Sequence, residues 1–294
     1  MNFDEYQLAA QGTDQRGGND IQDVTVHLLG LAGEAGSVAS VYKKRLRDGT
    51  AFETWNAQAA EELGDLLWYL ATVASKLDLS LQDIATANLE KTRHRWLTTS
   101  GDPIDGSFPP HERLPRSGTY EFVPDESPEG TDTVSVYFEG RQLGSTLTDA
   151  SPRQDGYRFH DVFHLAYASV LGWSPVTRQL MSRKRKSDVV IDESEDGGRA
   201  IVVEEAIAAL AFAYGAQHKH LDGISRLDQH LLNTILLLTD PFEASVRSAA
   251  DWERAILRGH EMFRLLLKGN GGRVHFDANL QSLRFEPRNG GEPG

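Results

Sequence analysis

No cysteine occurs anywhere in the 294 residues, so disulfides and thiolate metal sites are excluded and nothing points to an oxidising compartment. Basic charge is scarce as well: 30 Lys and Arg stand against 43 Asp and Glu, a formal net charge of −13. That balance argues against general nucleic-acid binding, which needs a basic surface for phosphate contacts, although a local basic patch suffices for one nucleotide. Long apolar runs are missing too. The longest, around Leu231 to Leu238, falls short of the roughly eighteen residues of a membrane span and contains Asn233 and Thr234. The N-terminus is polar, without a basic stretch followed by an apolar one, so no signal peptide is expected. Together these absences lead to an expected cytoplasmic protein that meets a small ligand and neither nucleic acid nor membrane.

What is present is a pattern of acids. Glu62-Leu63-Gly64-Asp65 sets two carboxylates at i and i+3, on the same side of a helix. About one helix upstream, Glu34-Ala35-Gly36-Ser37 repeats the spacing with a single acid. At 100° per residue, Leu63, Leu66, Leu67, Leu70 and Leu77 form an apolar stripe with Glu62 and Asp65 on its rim. Leu28, Leu31, Ala35, Val38 and Tyr42 form a matching stripe with Glu34 and Ser37 in the same rim phase. If the stripes pack together, the acidic rims adjoin, and three acids meet the oxygen-ligand requirement of a hard divalent cation. Taken alone, an ExxD pair is more often a solvated helix edge.

Further segments lower the weight of that plain reading. The opening Met1-Asn2-Phe3-Asp4-Glu5-Tyr6-Gln7, then Gly33-Glu34-Ala35-Gly36-Ser37, Glu61-Glu62-Leu63-Gly64-Asp65-Leu66-Leu67-Trp68-Tyr69-Leu70-Ala71 and Ala87-Asn88-Leu89-Glu90-Lys91-Thr92-Arg93-His94-Arg95 come in this order. Residues 1–98 thus resemble the MazG-like, all-α nucleoside triphosphate pyrophosphohydrolases. The resemblance implies Mg²⁺, with Mn²⁺ as an alternative, held by Glu34, Glu62 and Asp65. It implies Asn88, Lys91 and Arg95 on ribose or phosphate oxygens, with Trp68 or Tyr69 as a base-stacking candidate. The implied reaction breaks the bond between the α- and β-phosphates, giving a monophosphate and pyrophosphate. Lys91 and Arg95 also read as an ordinary basic helix end, and Trp68 and Tyr69 as core.

Ser37 departs from the family pattern, which carries a second glutamate there. Three outcomes stay open: metal bound by Glu34, Glu62 and Asp65 with extra water and Glu61 as a further candidate ligand; a carboxylate from elsewhere; or a nucleotide-binding sensor or interaction protein that no longer cleaves.

The rest of the chain reads as a break and a second, mostly helical domain. Pro and Gly crowd residues 99–118, read as a linker. Alternation at 119–123 and 133–138 predicts a small β-hairpin, and 188–192 and 283–285 two short extended pieces. Helical patterns cover roughly 157–173, 200–217, 226–238 and 248–268, within a domain over 119–288; 289–294 is read as a disordered tail. The fold class is mainly α. In Phe159-His160-Asp161-Val162-Phe163-His164 the two histidines stand at i, i+4, and Glu204-Glu205 sits in another helix. A second metal centre and a pair of histidines on a half-buried helix both accommodate this, and the latter is the simpler. His160 to Ala168 also faintly echoes Gly64 to Ala71. Since the resembling enzymes dimerise into four-helix bundles, the chain is expected to be a homodimer or a single-chain pseudo-dimer in which Asp161, Glu204 or Glu205 supplies the charge Ser37 lacks. Arg183-Lys184-Arg185-Lys186 reads as a solvated loop, with a phosphate clamp as the other reading, and Asp192 to Gly198 as a mobile acidic loop.

Overall fold

The computed structural model describes residues 1–99, 103–125, 132–152 and 154–288. The chain divides into two compact units, Met1–Arg93 and His94–Gly294. The expected tail at 289–294, the tip of the expected hairpin and residues 100–102 of the expected linker lie outside the described residues.

The first unit is helical. Helix α1 (Phe3–Thr13) starts at a capping box in which Asn2 and Glu5 satisfy each other's backbone N–H. Helix α2 (Ile21–Asp48) is capped by Asp20, whose side chain accepts from the Asp23 N–H, and stops at Gly49 with φ 59°. Only a short turn separates it from α3 (Trp55–Lys76), so the two helices return antiparallel and pack on each other. Ser80 Oγ then accepts from the Asp83 N–H to start α4 (Leu81–Trp96), whose last turn falls in the second unit.

A buried polar network fixes α1, α2 and α3. Asp14, just after α1, lies 2.8 Å from Lys76 Nζ and 3.1 Å from His27 Nε2. Lys76 also donates to the carbonyls of Arg16 and Gly18. His27 stacks on Trp68, whose Nε1 donates to Thr13 Oγ1 at 2.8 Å. The apolar packing around this network is thin: Ala10, Ala71 and Leu81, with Tyr6, Leu67 and Trp68 against them. Much of the apolar arc expected to be covered is not. Leu28, Tyr42, Leu63, Leu70 and Leu77 remain between 42% and 57% exposed, because each arc is wider than a single neighbouring helix can cover.

The second unit layers helices on a sheet. Strands β1 (Ser117–Asp125), β2 (Thr133–Phe138), β3 (Arg141–Leu147), β4 (Gly272–Asp277) and β5 (Ser282–Glu286) form one antiparallel sheet in the order β3-β2-β1-β4-β5. The hairpin read from the sequence is β1–β2, inside this larger sheet. Its alternate residues Tyr120, Phe122, Val134, Val136 and Leu143, with Val274 and Phe276, face the helices. Helix α5 (Asp161–Leu171) is buried from Val162 onward, as befits a helix that is apolar all round. Helix α10 (Ala249–Gly269) crosses it at Gly259, where an added Cβ would meet Phe163 at 3.0 Å and Ala166 at 3.3 Å. Short α6 (Pro175–Leu180) and α7 (Val189–Ser194) lead to α8 (Gly198–Gln217), and α9 (Gln229–Thr239) precedes α10.

Four sequence expectations are corrected here. Residues 188–192 are not extended: Asp188 accepts from the N–H groups of Val190 and Ile191 and starts α7 despite the β-branched run. The described part of 99–118 is no free linker, because Asp105, Glu112 and Leu114 are buried. Neither charged stretch is a solvated loop. Arg185 and Asp196 are fully buried and pair at 2.7 Å; Arg185 also pairs with Glu243, and Arg178 bonds Asp105 at 2.7 Å. Finally, α2 with the following turn (Ile21–Ala51) and α8 are long and apolar enough to cross a membrane by length and composition, with mean hydropathy 1.3 and 1.4. α8 spends its apolar residues Ala200, Ile207, Ala208 and Ala211 in the core of its own unit.

Candidate active site

The packing of α2 on α3 brings the two acidic rims together. One carboxylate oxygen each from Glu34, Glu62 and Asp65 lie within 4.8 Å of one another. Glu34 and Glu62 are half-buried and Asp65 is exposed, so the cluster is open to solvent on one side. Desolvation first, and then the negative charges of Asp65 and Glu62, hold the Glu34 carboxyl above its ordinary range. Like charges crowded this way call for a positive neighbour, and among the described residues no Lys or Arg forms an ion pair with any of the three. Oxygen-only donors in this number suit a hard divalent cation, so the residues present fit Mg²⁺ or Mn²⁺. Ser37 is half-buried on α2, one turn beyond Glu34. Glu61 is exposed and stands outside the cluster.

The other sequence candidates part ways. Asn88 and Lys91 lie exposed on α4. Arg95, one further turn along that helix face, is engaged within the second unit: it lies 3.6 Å from Glu253, donates to the Leu227 carbonyl at 3.3 Å and sits over Trp96. Its partner Glu253 also borders a cavity of about 620 Å³, together with Trp96, Arg226, Arg254 and Arg258. Tyr69 packs over Gly30, where an added Cβ would stand 2.2 Å from its ring, and it meets Trp68 edge-on. Both aromatics thus hold α2, α3 and α1 together, which is the core reading of these residues.

Glu204 is also committed where it stands. Fully buried on α8, it accepts from Ser174 Oγ at 2.6 Å, from the Val176 N–H at 2.8 Å and from His164 Nδ1 at 2.8 Å. Both of its oxygens are thus engaged inside the second unit. Burial opposes protonation of His164, but Glu204 and Glu205 overcome it and raise the imidazole to about 10. Sequence reasoning missed Asp14, His27 and Lys76, the network that sets α2 against α3. They come from three separate segments, and no spacing links them.

The MazG nucleotide pyrophosphohydrolase domain matches residues 22–97 and the MazG C-terminal domain residues 100–289. Gene 37 protein of Mycobacterium phage L5 is 37% identical over 101 residues, which cover 32% of this chain and 89% of that protein. No solved structure matches. The acids, the helices that carry them and these matches agree: the chain belongs to the MazG family, with a MazG nucleotide pyrophosphohydrolase domain followed by a MazG C-terminal domain.

Proposed function

We propose that the chain hydrolyses a nucleoside triphosphate to the monophosphate and pyrophosphate, with Glu34, Glu62 and Asp65 holding Mg²⁺ or Mn²⁺. The convergence of those three carboxylates from two helices is the observation that carries this reading. Held by these residues, a divalent cation would supply neutralisation of phosphate charge and activation of the attacking water. The protein's own part is to hold three acids in place on a rigid helix pair and to supply polar and cationic groups, Asn88 and Lys91, for ribose or phosphate oxygens. Water oxygen bonds to the α-phosphorus, the bond from that phosphorus to the bridging oxygen breaks, and pyrophosphate leaves. Charge spread over the phosphate oxygens during this transfer is what Lys91 offsets. Identification of the released products from a panel of triphosphates tests the assignment.

A nucleotide sensor that binds without cleaving is the second reading, and Ser37 is the residue that supports it. The acids nevertheless converge without a fourth carboxylate, which favours hydrolysis.

The exposed apolar arc on α2 and α3 supports a homodimer in which a second copy covers Leu28, Leu63 and Leu70. Sedimentation equilibrium is expected to give twice the chain mass, and Leu70→Glu to shift the population toward the monomer. A wild-type chain that sediments as a monomer at all concentrations would refute the dimer.

A further inference from the structure

We infer that the C-terminal unit carries a second, chemically different metal site, built by His160, Asp161 and His164 at the start of α5 with Glu205 of α8, for a divalent cation of the Zn²⁺ class.

Each imidazole is already oriented as a ligand. His160 Nδ1 lies 2.9 Å from the carbonyl oxygen of Tyr157, which can only accept, so Nδ1 is the donor and Nε2 points away. Stacking of the Tyr157 ring, with centroids 4.3 Å apart and planes 3° from parallel, fixes the plane of His160. His164 Nδ1 donates to Glu204 Oε1 at 2.8 Å. That carboxylate also accepts from Ser174 Oγ and from the Val176 N–H, so it is held as an acceptor. A carboxylate or carbonyl behind Nδ1 is the arrangement that orients metal-binding histidines.

The Nε2 atoms then face acids and little else. His160 Nε2 is 3.4 Å from Asp161 Oδ1, and His164 Nε2 is 3.5 Å from Glu205 Oε2. One ligand atom each from His160, Asp161 and His164 fall within 4.8 Å of one another. A tetrahedral ion with bonds of about 2.0–2.1 Å sets its ligand atoms about 3.3 Å apart, close to both measured separations. His164 Nε2 itself points to a ligand: its side chain is 1% exposed, and this atom has no well-formed hydrogen bond, only Glu205 Oε2 at the long distance of 3.5 Å. A buried ring nitrogen left unsatisfied while aimed at carboxylates is costly unless something sits between them. Two imidazoles with carboxylates favour a borderline transition ion over Mg²⁺, which prefers oxygen alone. Glu205, 44% exposed, marks the side open to solvent.

The test is isothermal titration of untagged, full-length protein with Zn²⁺, in a Glu62→Gln, Asp65→Asn background that removes the acid cluster of the first unit. About one equivalent of Zn²⁺ is expected to bind, and His160→Gln to weaken it at least ~10-fold, as loss of a ligand or its support does. Asp161→Asn, nearly the same shape as the native residue, serves as the second variant and is expected to weaken binding similarly; circular dichroism confirms that each variant is folded. With Co²⁺ in place of Zn²⁺, visible absorption bands are expected that His160→Gln abolishes. No Zn²⁺ binding in the Glu62→Gln, Asp65→Asn protein overturns the site, and so does binding left undiminished in the folded His160→Gln or Asp161→Asn protein.

Discussion

Glu62→Gln is expected to lower pyrophosphate release by about 10²–10³-fold in kcat, equivalent to about 2.7–4 kcal/mol of transition-state stabilisation. The substitution keeps the shape of the side chain and removes one of three converging charges. Because Glu62 is only half-buried, on a cluster open to solvent, the fold should be unaffected, and a melting curve checks that. Steady-state assay of released pyrophosphate measures the effect. Turnover at the native rate in Glu62→Gln would remove the acid cluster from the reaction. The converse change is informative too. Ser37→Glu adds a carboxylate one turn from Glu34 and is expected to lower the half-saturating Mg²⁺ concentration by roughly tenfold, the scale of a ligand-level change. An unchanged metal requirement would mean that position 37 does not face the cation.

Asp196→Ala is expected to cost about 3–5 kcal/mol, the toll of leaving a buried charge without its partner. Asp196 is fully buried and is bonded by Arg185 through both Nε and Nη2, while its backbone-facing oxygen accepts from the Arg185 N–H at 2.7 Å. Arg178 Nε also stands 3.5 Å from it. Burial alone would push Arg185 toward deprotonation; the hydrogen bonds to Asp196 and Glu243 outweigh it and raise its pKa. The loss translates into a melting temperature lower by on the order of 10 °C for a unit of this size. Differential scanning calorimetry reads it directly, and a shift of a degree or two would show that Glu243 alone neutralises Arg185. Asp196→Ala changes only the second unit's interior, so calorimetry should resolve whether the two units melt together.

These two predictions fall on the opposite sides of what the sequence discloses. The acid cluster was legible because an i, i+3 pair on a helix is a local pattern, and the phase of Glu34 against its apolar stripe could be counted from the same residues. The buried ion pairs were not legible. Arg185 reads as one of four consecutive basic residues, and only its partners on other segments, Asp196 and Glu243, make burial favourable. Arg95 shows the same limit: the family resemblance implies a ribose or phosphate ligand, and nothing in the sequence points to Glu253 and the Leu227 carbonyl, which engage it. In the sheet, β1 and β2 alternate clearly. β3 carries Gly144 and few apolar residues, and β4 begins at once after the left-handed Asn270 that caps α10, so neither gives a separate strand signal. Asp188 had the opposite effect, since a single cap turned a β-branched run into α7.

The stacking candidates teach a related point. Trp68 and Tyr69 sit in the most recognisable segment of the chain, yet their rings are spent on His27, Thr13 and Gly30. Close approach of Tyr69 to Gly30 lets α2 come near enough to α3 for the acids to converge. Motif residues thus divide into those whose carboxylates converge and those that set the distance between helices.

The central claim is that the three carboxylates of α2 and α3 serve cleavage between the α- and β-phosphates. The most direct measurement is ³¹P NMR of the products formed by the full chain from canonical, deoxy and modified nucleoside triphosphates with Mg²⁺ or Mn²⁺. Equal amounts of nucleoside monophosphate and pyrophosphate, formed only with the divalent ion and lost in Glu62→Gln, are the result this account requires. Orthophosphate and a diphosphate as products, or no metal-dependent turnover of any triphosphate in the panel, would contradict it.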